Sequence, residues 1–135
     1  MDIIKVCKDI LIKYEKIIFA YIFGSYISGK FNEDSDIDIA IYTKEKIHPE
    51  EYLEVKLKLT ERCRREVDLI ILNDAKPLFR YEVNRNNKLL FTRDKNFETN
   101  YKVKTLFEYN DVKRYLDLSY DATIDLLRKE VEQDG

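Results

Sequence analysis

The sequence predicts an α/β (α+β) domain with about four strands, flanked by helices and ended by one long helix. Three observations carry that expectation. Short β-branched or alternating runs recur between amphipathic helical stretches. Glycine (3) and proline (2) are too scarce for long linkers or low-complexity segments. The 135 residues, 44% hydrophobic and 37% charged, can enclose one core without disulfide or metal staples.

The first helix is expected over residues 2–14, where Ile3, Ile4, Cys7, Ile10 and Leu11 recur at helical spacing. IIFAYIF, residues 17–23, is a continuous apolar run that suits a strand buried on both faces. It stops at Gly24-Ser25 and gives way to a polar connection, YISGKFNEDS. DIDIAIY, residues 36–42, alternates strictly, so Ile37, Ile39 and Ile41 face one way and Asp36, Asp38 and Ala40 the other. Pro49, followed by Glu50 and Glu51, starts a helix expected to reach about Arg65, with Tyr52, Leu53, Val55, Leu57 and Leu59 as its apolar surface. A third strand follows over 66–72, a short helix over 77–84 from Pro77, and a last strand over 88–92.

From about Asp94 the pattern becomes helical to the end, with space for one break. Leu106, Tyr109, Val112, Leu116, Tyr120, Ile124, Leu127 and Val131 recur at three- and four-residue steps, and Phe107, Tyr115, Leu118, Ala122 and Leu126 lie on neighbouring faces. A helix apolar over so much of its circumference needs more than one packing partner. The chain thus divides into a core, residues 1–95, and a helical extension, residues 96–135, expected to pack on the core, on a partner, or on both.

Several function classes are excluded by composition. The 24 basic and 26 acidic residues nearly balance, which does not suit a dedicated nucleic-acid binder or attraction to anionic membranes. The apolar runs are far shorter than the ~20 residues that span a bilayer. The N-terminal stretch is amphipathic and carries acids, unlike a signal peptide, so the expected compartment is the cytoplasm. Cys7 and Cys63 read as free, reduced, buried thiols, His48 as an exposed loop residue, and Arg62, Arg64 and Arg65 as a solvated helix end.

The chemistry is carried by Gly24-Ser25, ten residues, then Asp36-Ile37-Asp38. Two acids two apart on a strand leave the same face, close enough to share a hard divalent cation such as Mg²⁺. Without a cation they repel and raise each other's pKa. Asp68 is the one charge in an otherwise apolar strand and can face them from a neighbouring strand. A carboxylate there is costly unless compensated. Gly24 allows close backbone approach, and Ser25 with the following amides can donate to a phosphate. A phosphate cradle facing three carboxylates suits in-line nucleotidyl transfer with two metal ions.

GSYISGKFNEDSDID resembles the Gly-Ser-x10-Asp-x-Asp signature of the polymerase-β-like nucleotidyltransferase superfamily. So small a core looks like the minimal nucleotidyltransferase (MNT) family, many of whose members are antitoxins encoded beside a helical HEPN-type ribonuclease toxin. The resemblance covers residues 1 to about 95. It implies a mixed, mostly four-stranded sheet. It implies Asp36 and Asp38 as ligands of two Mg²⁺ ions (Mn²⁺ able to substitute), with Asp68 as a ligand of one and the base. Gly24 and Ser25 would hold the triphosphate of ATP. The implied reaction is transfer of AMP from ATP to a tyrosine of the partner toxin, silencing it within a hetero-oligomer. Relatives often carry an arginine in a Gly-Ser-x-x-Arg-Gly turn; here Ser28 stands at that position, and Lys30 is the nearest cation to compensate.

Two other functions stay open from the residues. One is a small-molecule nucleotidyltransferase of the aminoglycoside-adenylylating kind, which usually needs a second domain to hold its acceptor. The other is an antitoxin that inhibits by binding alone, against which three clustered acids argue. The extension carries six basic and nine acidic residues, a balance that disfavours nucleic acid as the direct partner.

Overall fold

A computed structural model describes residues 1–32 and 34–134, except the side chain of residue 134; Gly135, the end of the expected extension, lies outside the described residues. Helix α1 (Ile3–Leu11) opens on Asp2, whose carboxylate accepts from the Lys5 amide at 3.2 Å. Strand β1 (Ile17–Phe23) follows, then a single helical turn, α2 (Ser25–Ser28), where the sequence suggested only a polar connection. Strand β2 (Ile37–Thr43), helix α3 (Pro49–Cys63) and strand β3 (Val67–Ile71) form a parallel crossover unit. A 3₁₀ turn (Leu72–Asp74), helix α4 (Pro77–Arg85), strand β4 (Asn87–Thr92) and helix α5 (Lys95–Asp134) complete the chain.

The sheet is mixed and four-stranded, in the order β3-β2-β1-β4. Strand β1 is antiparallel to both β2 and β4, and β2 is parallel to β3. Both faces of the central strands are covered, which is why β1 reads as an unbroken apolar run. One face holds Ile37, Ile39 and Ile41 of β2 against α1 and α3. There Cys7 and Cys63 are both buried and free, and their sulfurs lie 3.6 Å apart, a meeting that a sequence separation of 56 conceals. The opposite face carries Phe19, Tyr21 and Ala40 under Val83 of α4 and Tyr101 of α5.

The apolar surface expected of α3 needs correction. On α3 the buried residues are Val55, Leu59 and Cys63, whereas Leu53 and Leu57 are 53% and 58% exposed. At 3.6 residues per turn the Val55–Leu59–Cys63 stripe meets the sheet, and Leu53 and Leu57 fall outside it. The long C-terminal helix expected from the pattern is α5, unbroken over 40 residues, a rod of about 60 Å. Its apolar stripe does not lie along the core. Only its first three turns are sealed, through Glu98, Tyr101 and Thr105, and Tyr109 then stacks on Tyr81 of α4 at 3.5 Å. Farther on, Tyr115, Leu118, Tyr120, Leu126 and Val131 are all more than 60% exposed. None of the helices, among the described residues, is long and apolar enough to cross a membrane.

Candidate active site

Register, more than sequence proximity, brings the acids together. Asp38 of β2 pairs with Phe23 of β1 on one side and with Asp68 of β3 on the other. The two carboxylates therefore leave the same face from adjacent strands and lie against each other. Burial, then the charge and contact of Asp68, then the charge of Asp36, push the Asp38 carboxyl up to about 6. Asp36 stands exposed just ahead of β2. Among the described residues, no three acid, histidine or cysteine side chains are drawn close enough to enclose a cation. The Asp38–Asp68 pair nonetheless fits a hard divalent ion: its donors are all oxygens, and a positive charge between them would relieve the repulsion that raises Asp38.

Gly24 follows directly on Phe23 and so arrives beside Asp38. Its φ of 75° is open to glycine, and a Cβ there would stand 2.1 Å from Asp38 Oδ2. Glycine is thus required by the approach of the turn to the Asp38 carboxylate itself, in addition to any ligand. The Ile27 and Ser28 amides both donate to the Gly24 carbonyl, at 3.1 and 3.0 Å, closing the turn. Ser25 begins the turn, where a helix leaves its first amides without intrahelical partners. Ser28 caps back onto the Ser25 carbonyl at 3.3 Å, and Lys30 lies exposed beyond the left-handed Gly29.

The loop from this turn to β2 is clamped by Arg65, and the solvated-end expectation for that residue is corrected. Arg65 donates to the carbonyls of Asn32 (2.8 Å) and Ser35 (3.4 Å), and its guanidinium lies 4.4 Å from the centre of the Phe31 ring. Arg62 and Arg64 are exposed, as expected. Arg65 sits just past the left-handed Arg64 that ends α3, which turns it back toward the loop.

Asp38 and Asp68 open into a cleft of about 260 Å³ that Phe23, Tyr52, Lys56 and Phe79 also line. Sequence reasoning missed these last four as site residues. Tyr52 and Lys56 are one turn apart on α3, and the β2-α3-β3 crossover sets that helix beside β3. The Tyr52 hydroxyl donates to the Leu69 carbonyl at 2.7 Å, fixing its ring at the sheet edge. No sequence signal marked them: the crossover sets α3 beside β3, but which of its side chains reach the cleft depends on how the helix crosses the strand.

Chemically, the arrangement holds two opposed carboxylates, a glycine-serine turn against one of them, and a lysine in the same cleft. It can gather a cation and a polyphosphate and offer a carboxylate to a proton.

Comparison with known proteins agrees with this geometry. Residues 5–96 match the family described as Polymerase beta, Nucleotidyltransferase. Protein adenylyltransferase MntA of Shewanella oneidensis is 31% identical over 123 residues, spanning 91% of this chain and 83% of that protein. A crystal structure of a toxin-antitoxin with AMP-PNP superposes with a TM-score of 0.77 at 25% identity, over 92% of this chain and 99% of that one. The fold is also that of a chain from the tri-AMPylated Shewanella oneidensis HEPN toxin in complex with MNT antitoxin, with a TM-score of 0.70 at 23% identity over 90% of this chain and 98% of that one. With its acids paired in register beside a glycine-serine turn, the chain belongs to the polymerase beta nucleotidyltransferase family.

Proposed function

We propose that this protein is an antitoxin nucleotidyltransferase of the cytoplasm that transfers AMP from ATP to a tyrosine of a HEPN-type toxin. The observation that carries this is the in-register meeting of Asp38 and Asp68 beside Gly24, in a chain 31% identical to a protein adenylyltransferase. Asp36, Asp38 and Asp68 would hold Mg²⁺, with Mn²⁺ able to substitute. Such an ion neutralises the carboxylates and the phosphate oxygens and favours displacement at phosphorus.

Gly24 and Ser25 receive the triphosphate, and Lys30 adds a point charge from solvent. Lys56, inside the cleft, sets a positive charge beside the carboxylates. The tyrosine oxygen forms a bond to the α-phosphorus of ATP as the bond to the bridging oxygen breaks, and pyrophosphate leaves. The phenolic proton would pass to a carboxylate, and the register of Asp68 beside Asp38 supports Asp68 as that base. The apolar length of α5 beyond Tyr109, which no described residue covers, is the surface for a helical partner. Its excess of acids suits a basic one.

The test is to incubate the protein with labelled ATP, Mg²⁺ and the product of the adjacent gene, then to map the adduct by mass spectrometry. AMP on a tyrosine of the partner is expected. Label on a small molecule or RNA alone, with the partner unmodified, refutes the proposal.

A further inference from the structure

The acid cleft does not end at Asp68. It continues along the outer edge of β3 into a second cavity of about 490 Å³ that reaches Ile71, Asp74 and Lys76. The two share Tyr52, Leu69, Ile70 and Phe79, so they form one groove between α3 and α4. Strand β3 is an edge strand of the sheet. Phe79 is 40% exposed and meets Phe23 edge to face at 6.1 Å, while Tyr52 is held from the other side by its bond to Leu69. Two aromatic rings thus wall a groove that leads to the carboxylate pair.

We infer that this groove receives the tyrosine-bearing segment of the partner protein, with Tyr52 and Phe79 flanking the acceptor ring and Lys76 meeting the chain beyond it. The inference rests on the adenylyl-transfer function proposed above. Its ground is the direction of the reaction. In-line displacement sets the attacking and leaving oxygens on opposite sides of the phosphorus. The leaving pyrophosphate belongs at Gly24-Ser25, which abuts Asp38 from the β1 side. The attacking oxygen must then come from the other side, past Asp68, and the groove along β3 opens there. Its aromatic walls favour a ring over an aliphatic hydroxyl, because offset and edge-to-face pairs add to simple burial.

The test uses the full chain, its partner toxin, ATP and Mg²⁺, with initial rates measured against each substrate in turn. Phe79→Ala should raise KM for the toxin roughly tenfold, as loss of one well-packed aromatic contact does, with KM for ATP unchanged. Lys76→Glu, at an exposed position where folding is not at risk, should move the same constant in the same direction. Phe79→Leu, which keeps an apolar wall without a ring, should fall between. A rise in KM for ATP instead would give the groove to the nucleobase and overturn the inference, as would toxin kinetics that neither Phe79→Ala nor Lys76→Glu alters. Those failures leave transfer to the toxin by the unsubstituted protein intact; absence of that transfer overturns the proposed function and this inference together.

Discussion

One face of the sheet carries two acids with opposite fates. At one end Glu98 of α5 is completely buried, yet it accepts from Tyr21 Oη at 2.9 Å and pairs with Lys102 at 3.2 Å and Lys95 at 3.4 Å. Burial alone would raise its pKa, but the Tyr21 hydroxyl and the two lysines outweigh that and hold Glu98 below the usual carboxylate range. At the other end Asp38 is only half-buried, and its neighbours are Asp68 and Asp36, so its pKa rises. A carboxylate in a low-dielectric site must be compensated. Glu98 finds its compensation within the chain and ties α5 to the sheet. Asp38 does not, and in the proposed function that deficit is what a cation would compensate.

The largest effect should come from breaking the uncompensated end. Asp38→Asn or Asp36→Asn should reduce AMP transfer by at least about a thousandfold, the scale of losing a group that stabilises the transition state directly. The metal-free fold should hold or gain slightly, since a repelling charge is removed. An AMP-transfer assay beside a thermal melt in EDTA checks both halves. Substantial transfer by Asp36→Asn would exclude that residue as a metal ligand.

The compensated end should respond in reverse. Glu98→Ala leaves the buried Tyr21 hydroxyl without its acceptor beneath α5 and should cost about 1–3 kcal/mol of stability, read by urea unfolding. Below its melting temperature the variant should still bind ATP, because Glu98 touches nothing in the acid cleft.

The smallest effect is the pH profile of the metal-free protein. Asp38 titrates at about 6 in the fold against an ordinary 3.8, so between those values the folded chain holds a proton that the unfolded chain has released. Stability should therefore fall as pH rises from about 4 to 6 and then level off, by on the order of 1 kcal/mol after solvent screening. Glu98, held low, contributes with the other sign: its share is present above the unfolded carboxylate range and is lost as pH falls below it. Asp38→Asn should abolish the first slope and leave the second, which melts from about pH 2 to 8 resolve.

Local pattern made the strands and the acids legible before the structure. The alternation around Asp36 and Asp38 and the lone charge at Asp68 survive in any sheet that pairs β2 with β3. What pattern could not supply was the long-range geometry. Arg65 looks like any helix-end cation until its carbonyl partners in the loop are known. Tyr52 reads as an ordinary apolar position and Phe79 as part of a short helix, because a groove at a sheet edge depends on where two helices come to rest. The stripe on α5 gave the helix correctly but not its course, since helical periodicity says which side is apolar and not what covers it.

The central claim is that the acid pair at the open end of the sheet becomes a nucleotide site only through a divalent cation. Calorimetric titration of ATP into the full chain, once with Mg²⁺ and once in EDTA, tests it most directly. Binding with Mg²⁺ and none detectable in EDTA is the predicted result, because bare triphosphate and uncompensated carboxylates repel. Equal affinity under both conditions would contradict the account.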